Sequence, residues 1–156
     1  MEILLIAAGK RQPAWVEDGY RDYARRLGRG WSLGLKEIPL GRRGRSSTPL
    51  RAREEEGRRM LAALPGSAHV VALVVGGEPW STEDLSLRLE GWASLGAPVC
   101  LLIGGPDGLA ESCLGRAQER WSLSPLTLPH GLARVVVAEA LYRAWSLMTR
   151  HPYHRG

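Results

Sequence analysis

Apolar residues in this chain fall into short unbroken runs, separated by segments where they recur every three or four positions. Met1 to Ala8 (MEILLIAA), Val70 to Val75 and Pro98 to Ile103 are the runs, each the length of a strand buried on both faces. Trp31 to Pro39 alternates instead, with Trp31, Leu33, Leu35 and Glu37 on one side and Ser32, Gly34, Lys36 and Ile38 on the other. That predicts a second strand after the first. Helical periodicity predicts Ala14 to Leu27, with Trp15, Tyr20, Tyr23, Ala24 and Leu27 along one side. It also predicts Leu50 to Leu64, Thr82 to Leu95, Ala110 to Arg120 and Leu132 to Met148. Ser81 and Asp84 have the spacing of a capping box. Gly76-Gly77 is expected to turn the chain, and Trp121 to Leu128 to hold a short strand running into a loop. The order βαβαβαβαβα predicts an α/β domain, its mostly parallel sheet covered by helices on both faces.

The last helix differs from the others. Val135, Val136, Val137, Ala138, Leu141, Tyr142, Trp145 and Met148 surround it rather than form one stripe. A helix apolar all round is buried or lies in a subunit interface, which predicts an obligate homodimer. Glu139 and Arg143, four apart, are expected to form a structural ion pair. The segment after this helix holds Arg150, His151, Tyr153, His154 and Arg155 in six residues, too many hydrogen-bonding and cationic groups for an idle tail.

Composition narrows the class. The chain has 156 residues, 44% apolar and 24% charged, which suits one globular domain spanning residues 1–156 and excludes disorder. No apolar run reaches the roughly 18 residues needed to cross a bilayer, and Met1 to Lys10 lacks the basic leader of a signal peptide, so a cytoplasmic protein is expected. Cys100 and Cys113 read as structural thiols, and no His/Cys spacing suggests a metal. The net charge is +5, nearly all of it from arginine, since Lys10 and Lys36 are the only lysines. Arginine's planar fork suits phosphate, so a nucleic-acid partner is favoured. The basic, Gly/Ser-rich stretch Gly41 to Pro49 is the best candidate for disorder or ligand contact.

Ligands of open α/β sheets gather at the carboxyl ends of strands, here Leu73 to Trp80, Gly104 to Leu109 and Ser122 to His130. Gly104-Gly105 directly follows a strand and lets a flat ligand approach the main chain, but neither a P-loop nor G-x-G-x-x-G is present. Pro125 interrupts Ser122-Leu123-Ser124-Pro125-Leu126-Thr127, predicting a loop whose main-chain groups are free to read the edge of an adenine. His130 precedes the last helix, and Arg134 follows one turn later on the same face. A lone histidine there is more often a cap or core residue than a catalyst.

LLIGGPDGL at Leu101, SLSPLTLPH at Ser122, RVVVAEALYRAW at Arg134 and HPYHR at His151 together resemble the bacterial RlmH proteins, SPOUT-class methyltransferases of the large ribosomal subunit. IAAGK near the start, Ile38 to Gly44, and GEPW at Gly77 agree. The resemblance implies a C-terminal segment threaded into a deep trefoil knot, a homodimer, and S-adenosyl-L-methionine as cofactor. It implies methylation of N3 of a pseudouridine in the helix 69 loop of 23S rRNA on the assembled ribosome. By motif, Leu73, Gly104, Gly105, Ser122, Leu123, Ser124, Pro125, Leu126, Thr127 and Leu128 would contact the cofactor. His130, Arg134, Tyr153, His154 and Arg155 would be the catalytic candidates, the tail reaching the partner's site, and Arg42, Arg43 and Arg45 would contact rRNA. Other readings of the same residues are a SPOUT enzyme acting on tRNA and a non-catalytic rRNA-binding assembly factor.

Overall fold

A computed structural model describes residues 1–155; Gly156, the end of the cationic tail, lies outside them. Five strands alternate with five helices: β1 (Glu2–Ala8), α1 (Ala14–Ala24), β2 (Ser32–Ile38), α2 (Pro49–Ala63), β3 (His69–Pro79), α3 (Thr82–Ala93), β4 (Val99–Ile103), α4 (Glu111–Arg116), β5 (Glu119–Ser122) and α5 (His130–Met148). The strands form one sheet in the order β2-β1-β4-β3-β5, and every pairing is parallel.

Alternation along the buried strands divides the core in two. Ile3, Leu5 and Ala7 of β1 and Val99, Leu101 and Ile103 of β4 face one layer with α1, α3 and α5. Ile6, Ala8, Cys100 and Leu102 face the other, against Met60 of α2 and Cys113 of α4. The connections through α1 and α3 step one way along the sheet and those through α2 and α4 step the other way, so crossovers of one hand put them on opposite faces. Both cysteines are buried and unpaired, and burial pushes the Cys100 thiol up to about 11, which keeps it inert.

The helix starts follow local chemistry. Thr48 accepts a hydrogen bond from the Arg51 amide ahead of Pro49 in the first turn of α2. The Ser81 and Asp84 capping box closes reciprocally, at 3.0 Å in each direction. α5 is largely buried within one chain, beneath α1 and α3, and Val135 lies close enough to α1 to need Gly19 there. Burial within the protomer thus accounts for much of its all-round apolar pattern. Leu132, Val135, Val136, Leu147 and Met148 remain half-buried.

Two elements depart from expectation. The helix expected at Ala110 to Arg120 ends at Arg116, and β5 begins at Glu119, ahead of Trp121. The Glu119 carboxylate accepts from Trp92 Nε1 at 2.9 Å and lies 2.7 Å from His69 Nε2, with Arg88 on its other oxygen; these partners draw the segment into the sheet. Gly76-Gly77 does not turn the chain. β3 runs on to Pro79, but Leu73 and Glu78 both pair with Trp121, so residues 74–77 leave the β5 ladder and rejoin it as a long bulge. Gly77 seals that return: a Cβ there would lie 2.9 Å from the main chain of Arg120 and Trp121. Gly77→Ala is therefore expected to lower unfolding free energy by roughly 1–3 kcal/mol. Gly76→Ala, whose Cβ meets nothing within 4 Å, should leave it nearly unchanged. Urea unfolding of both variants gives the comparison, and equal midpoints would show that the bulge tolerates a side chain.

Candidate functional site

The bulge in β3, the loop after β4 and the loop after β5 meet at the carboxyl end of the sheet around a cavity of about 330 Å³. Leu73, Val74 and Val75 form one wall, Gly104, Gly105, Pro106 and Gly108 a second, and Leu123, Ser124 and Leu126 to His130 the third, with Pro125 outside the lining. The volume lies at the small end of those that hold cofactor-sized ligands, and the lining is mostly apolar. Leu126 and Val75 stand exposed on its rim. All three stretches singled out by strand position contribute, and so do most of the residues expected to hold a cofactor. Ser122 is buried just behind the lining, where its hydroxyl donates to the Ser124 carbonyl at 3.2 Å.

The three walls get their shapes in different ways. Gly104 lies so close to Gly108 that a Cβ would come within 2.4 Å of its carbonyl carbon, and Gly108 has φ +81°. Glycine at both places makes the narrow turn in which the Gly108 amide donates to the Gly105 carbonyl. In the third wall the Ser124 hydroxyl accepts from the Leu126 amide at 2.9 Å, so a side chain shapes the turn. Among the described residues, main-chain groups from 123 to 128 make no hydrogen bond to other main chain, which leaves donors and acceptors for a ligand.

His130 is the first residue of α5, not the residue before it, and its ring lies at the cavity's edge. Nε2 is 3.5 Å and Arg134 Nη2 3.6 Å from where a Gly9 Cβ would stand, with Gln12 nearer still at 3.2 Å. Burial, then the Arg134 charge, holds the His130 pKa below the usual imidazole value, so the ring is neutral at pH 7 and able to accept a proton. Arg134 is 1% exposed and does not line the cavity. Its Nη1 donates to Glu37 at 2.6 Å, and its Nη2 to the carbonyls of Gly9 at 2.7 Å and Ala8 at 3.3 Å. The expected catalytic arginine is thus a buried strut. Gln12 and Glu37 gave no sign of these positions in the sequence, because each is defined by contacts across strands and loops.

The tail residues lie elsewhere. Tyr153 and His154 belong to a 3₁₀ turn, Pro152–Arg155, folded back on the far end of α5. Tyr153 donates to Glu139 at 3.1 Å, packs tilted against Tyr142 with ring centroids 4.5 Å apart, and carries the Arg143 guanidinium 4.8 Å above its ring. The expected Glu139–Arg143 ion pair is present at 2.7 Å. Burial and the Glu139 contact push the Tyr153 phenol up to about 12, so it is a hydrogen-bond donor and not a base. The 19 residues of α5 span about 28 Å, so within one chain His130 and Tyr153 do not meet at one reacting atom.

The basic loop is partly tied down. Gly41 lies flat on α2, where a Cβ would fall 2.1 Å from the Ala52 oxygen, and its amide donates to Glu56 at 2.9 Å. Arg42 and Arg45 are exposed, as phosphate contacts require. Arg43 is not free in that way: its guanidinium bonds Glu56 at 2.8 Å and Asp107 at 3.0 Å. A groove of about 590 Å³ between α1 and β2 is larger than the strand-end cavity, but of the predicted residues it touches only Arg134. Among the described residues no group of His, Cys, Asp and Glu is arranged for a metal, and no helix is long and apolar enough to cross a membrane.

A family model described as a predicted SPOUT methyltransferase matches residues 1–154. The chain is 60% identical over its whole length to a ribosomal RNA large subunit methyltransferase H of Alkalilimnicola ehrlichii, and all of that protein is covered. A protein of the same name from Methylococcus capsulatus is 52% identical, covering 99% of this chain and all of that one. A probable methylase family protein of Haemophilus influenzae superposes with TM-score 0.56 at 10% identity, over 97% of this chain and 69% of that one, a likeness of fold.

Arg134→Met should cost about 3 kcal/mol of stability, because it leaves the Glu37 carboxylate and two carbonyls without their donor. Denaturant unfolding measures this directly. A loss below about 1 kcal/mol would mean that water replaces the guanidinium at those acceptors.

Proposed function

The chain belongs to the SPOUT methyltransferases, within the family of ribosomal RNA large subunit methyltransferase H, and on that premise we propose that it methylates N3 of a pseudouridine in the helix 69 loop of 23S rRNA, on the assembled ribosome, with S-adenosyl-L-methionine as donor. The observation that carries this reading is the strand-end cavity, with apolar walls for a flat base and ribose, glycines at Gly104 and Gly105 for close approach, and main-chain groups from 123 to 128 that bond to no other main chain. Leu73, Gly104, Gly105 and the loop from Ser122 to Leu128 would hold the cofactor. When bound, S-adenosyl-L-methionine supplies an electrophilic methyl on a sulfonium.

What the protein adds is placement and one proton acceptor. The cavity walls hold the donor so that the base nitrogen approaches in line with the bond that breaks. As the N3–C bond forms, the N3 proton must leave, and His130 is the group we assign to take it. It is neutral, lies at the cavity edge, and has Arg134 behind it to disfavour premature protonation. Arg134 acts by position alone.

The fold and assembly complete the proposal: one domain over residues 1–156, knotted at its C-terminal end, working as a cytoplasmic homodimer. β5 ends beside β3, whereas α5 begins against Ala8 and Gly9 at the end of β1. The connection therefore crosses the ends of β3 and β4, the course a threaded segment takes. Since α5 separates pocket from tail by its full length, two such helices packed antiparallel would bring Tyr153, His154 and Arg155 of one protomer to the cavity of the other. The half-buried Val135, Val136 and Leu132 are apolar area for such packing. Arg42 and Arg45 would engage rRNA phosphates.

Four measurements test this. Calorimetry should give saturable S-adenosyl-L-methionine binding, and its absence would favour a binding protein without catalysis. Mass spectrometry of rRNA from a deletion strain should lose the N3-methyl of the helix 69 pseudouridine; retention of that methyl removes the target assignment. The pH–rate profile should fall on the acid side, at a pH below the ordinary histidine range, as His130 becomes protonated. That limb should disappear along with most of the rate in His130→Ala, by roughly 10²-fold or more. Deleting residues 153–156 should abolish turnover while leaving cofactor affinity nearly intact and the protein folded, with the modest loss of stability that losing the Tyr153 contacts brings; undiminished turnover would leave the tail no part in the reaction.

A further inference from the structure

We propose that Arg43 is a positioning residue of the cofactor cavity, pre-set by Glu56 and acting through Asp107, and not one of the phosphate-contacting arginines of its loop. The proposal rests on the reading of the cavity as an S-adenosyl-L-methionine site.

Glu56 is the starting point. Its side chain is 3% exposed, although the other charged residues of its helix are exposed or half-buried. A carboxylate there needs partners, and its Oε2 accepts from both the Gly41 amide at 2.9 Å and Arg43 Nη1 at 2.8 Å, while its buried Oε1 has no hydrogen-bond partner among the described residues. Arg43 Nη1 also donates to the Gly41 carbonyl at 3.1 Å, so the guanidinium is fixed from two directions. Its Nε then reaches across to Asp107 at 3.0 Å.

Asp107 stands on the turn between Gly105 and Gly108, residues that bridge each other and line the cavity. That turn has three glycines in five residues, a composition with wide conformational freedom before folding. Inside the turn it is held by the Gly108 amide on the Gly105 carbonyl. The Arg43–Asp107 pair ties it to α2 from outside, with side chains 28% and 35% exposed and so partly shielded from water. Glu56 also lies directly behind the turn: a Cβ on Gly105 would be 3.1 Å from Glu56 Oε1. The loop wall thus rests on the same carboxylate that orients its latch.

Charge separates the two roles. One guanidinium between two carboxylates makes a local cluster with net charge −1, which does not attract an RNA phosphate. Arg42 and Arg45 present cations with exposed side chains on the same loop. Their contacts should release counterions and so depend steeply on salt, whereas those of Arg43 should not.

The test compares Arg43→Met, Arg43→Lys and Asp107→Asn with Arg42→Met and Arg45→Met in the full-length protein. Asp107→Asn leaves the Glu56–Arg43 pair in place, so it reads the latch without risking the fold. Three quantities are measured: calorimetric Kd for S-adenosyl-L-methionine, the salt dependence of ribosome binding, and amide hydrogen exchange at Gly105, Asp107 and Gly108 without cofactor. Arg43→Met and Asp107→Asn should weaken cofactor binding roughly tenfold, within the range of coupling in one ion-pair network, and speed exchange in the turn. Their salt slope should match wild type, Arg43→Lys should recover part of the loss, and Arg43→Met/Asp107→Asn should be no worse than either alone. Arg42→Met and Arg45→Met should do the reverse, flattening the salt slope at unchanged Kd. Arg43→Met with wild-type exchange and cofactor Kd but a flattened salt slope would overturn the proposal. If wild type binds no cofactor, the reading of the cavity fails on its own, and faster exchange in Asp107→Asn still establishes the latch.

Discussion

A guanidinium buried at the junction of three elements fixes where the last helix starts. Arg134 reaches from the second turn of α5 to Glu37 at the end of β2 and to the carbonyls of Ala8 and Gly9 at the end of β1. Those carbonyls point out of the sheet with no further strand residue to receive them, so a fixed cation is the natural partner. The placement of His130, one turn earlier, follows from it. So does the path of residues 123–129, which leave β5 at one edge and must arrive where Arg134 holds the helix. The cavity is what that path encloses against β3 and β4.

The sequence disclosed most of the fold because its signals were local. Unbroken apolar runs gave the three inner strands, Ser81 and Asp84 gave a helix start, and the alternation of elements gave a layered α/β sheet. It was silent where geometry came from pairing. Gly76-Gly77 has the composition of a turn, but β5 keeps hold of both sides of it and makes a bulge. Glu119 belongs to a helical stretch by periodicity, until Trp92, His69 and Arg88 claim its carboxylate.

The site was legible as positions and not as roles. Strand ends located the cavity walls, because an open parallel sheet leaves ligands little choice of place. Arg134 and Arg43 carry the same cation as Arg42 and Arg45, yet the first is buried as a strut and the second lies between two carboxylates. What distinguishes four arginines is the acids they meet, Glu37, Glu56 and Asp107, which stand 97, 13 and 64 residues away in the chain.

α5 joins the cavity rim to the tail with no break. Each residue of a helix advances the chain by about 1.5 Å and rotates it by about 100°. A one-residue insertion between His130 and Glu139 would therefore turn Glu139, Tyr142 and the tail together by about 100° relative to the cavity. Side chains along this helix are fixed by packing and by the bonds of Arg134 and Glu139, and its length sets the phase of the tail. The element works as a ruler between cavity and tail.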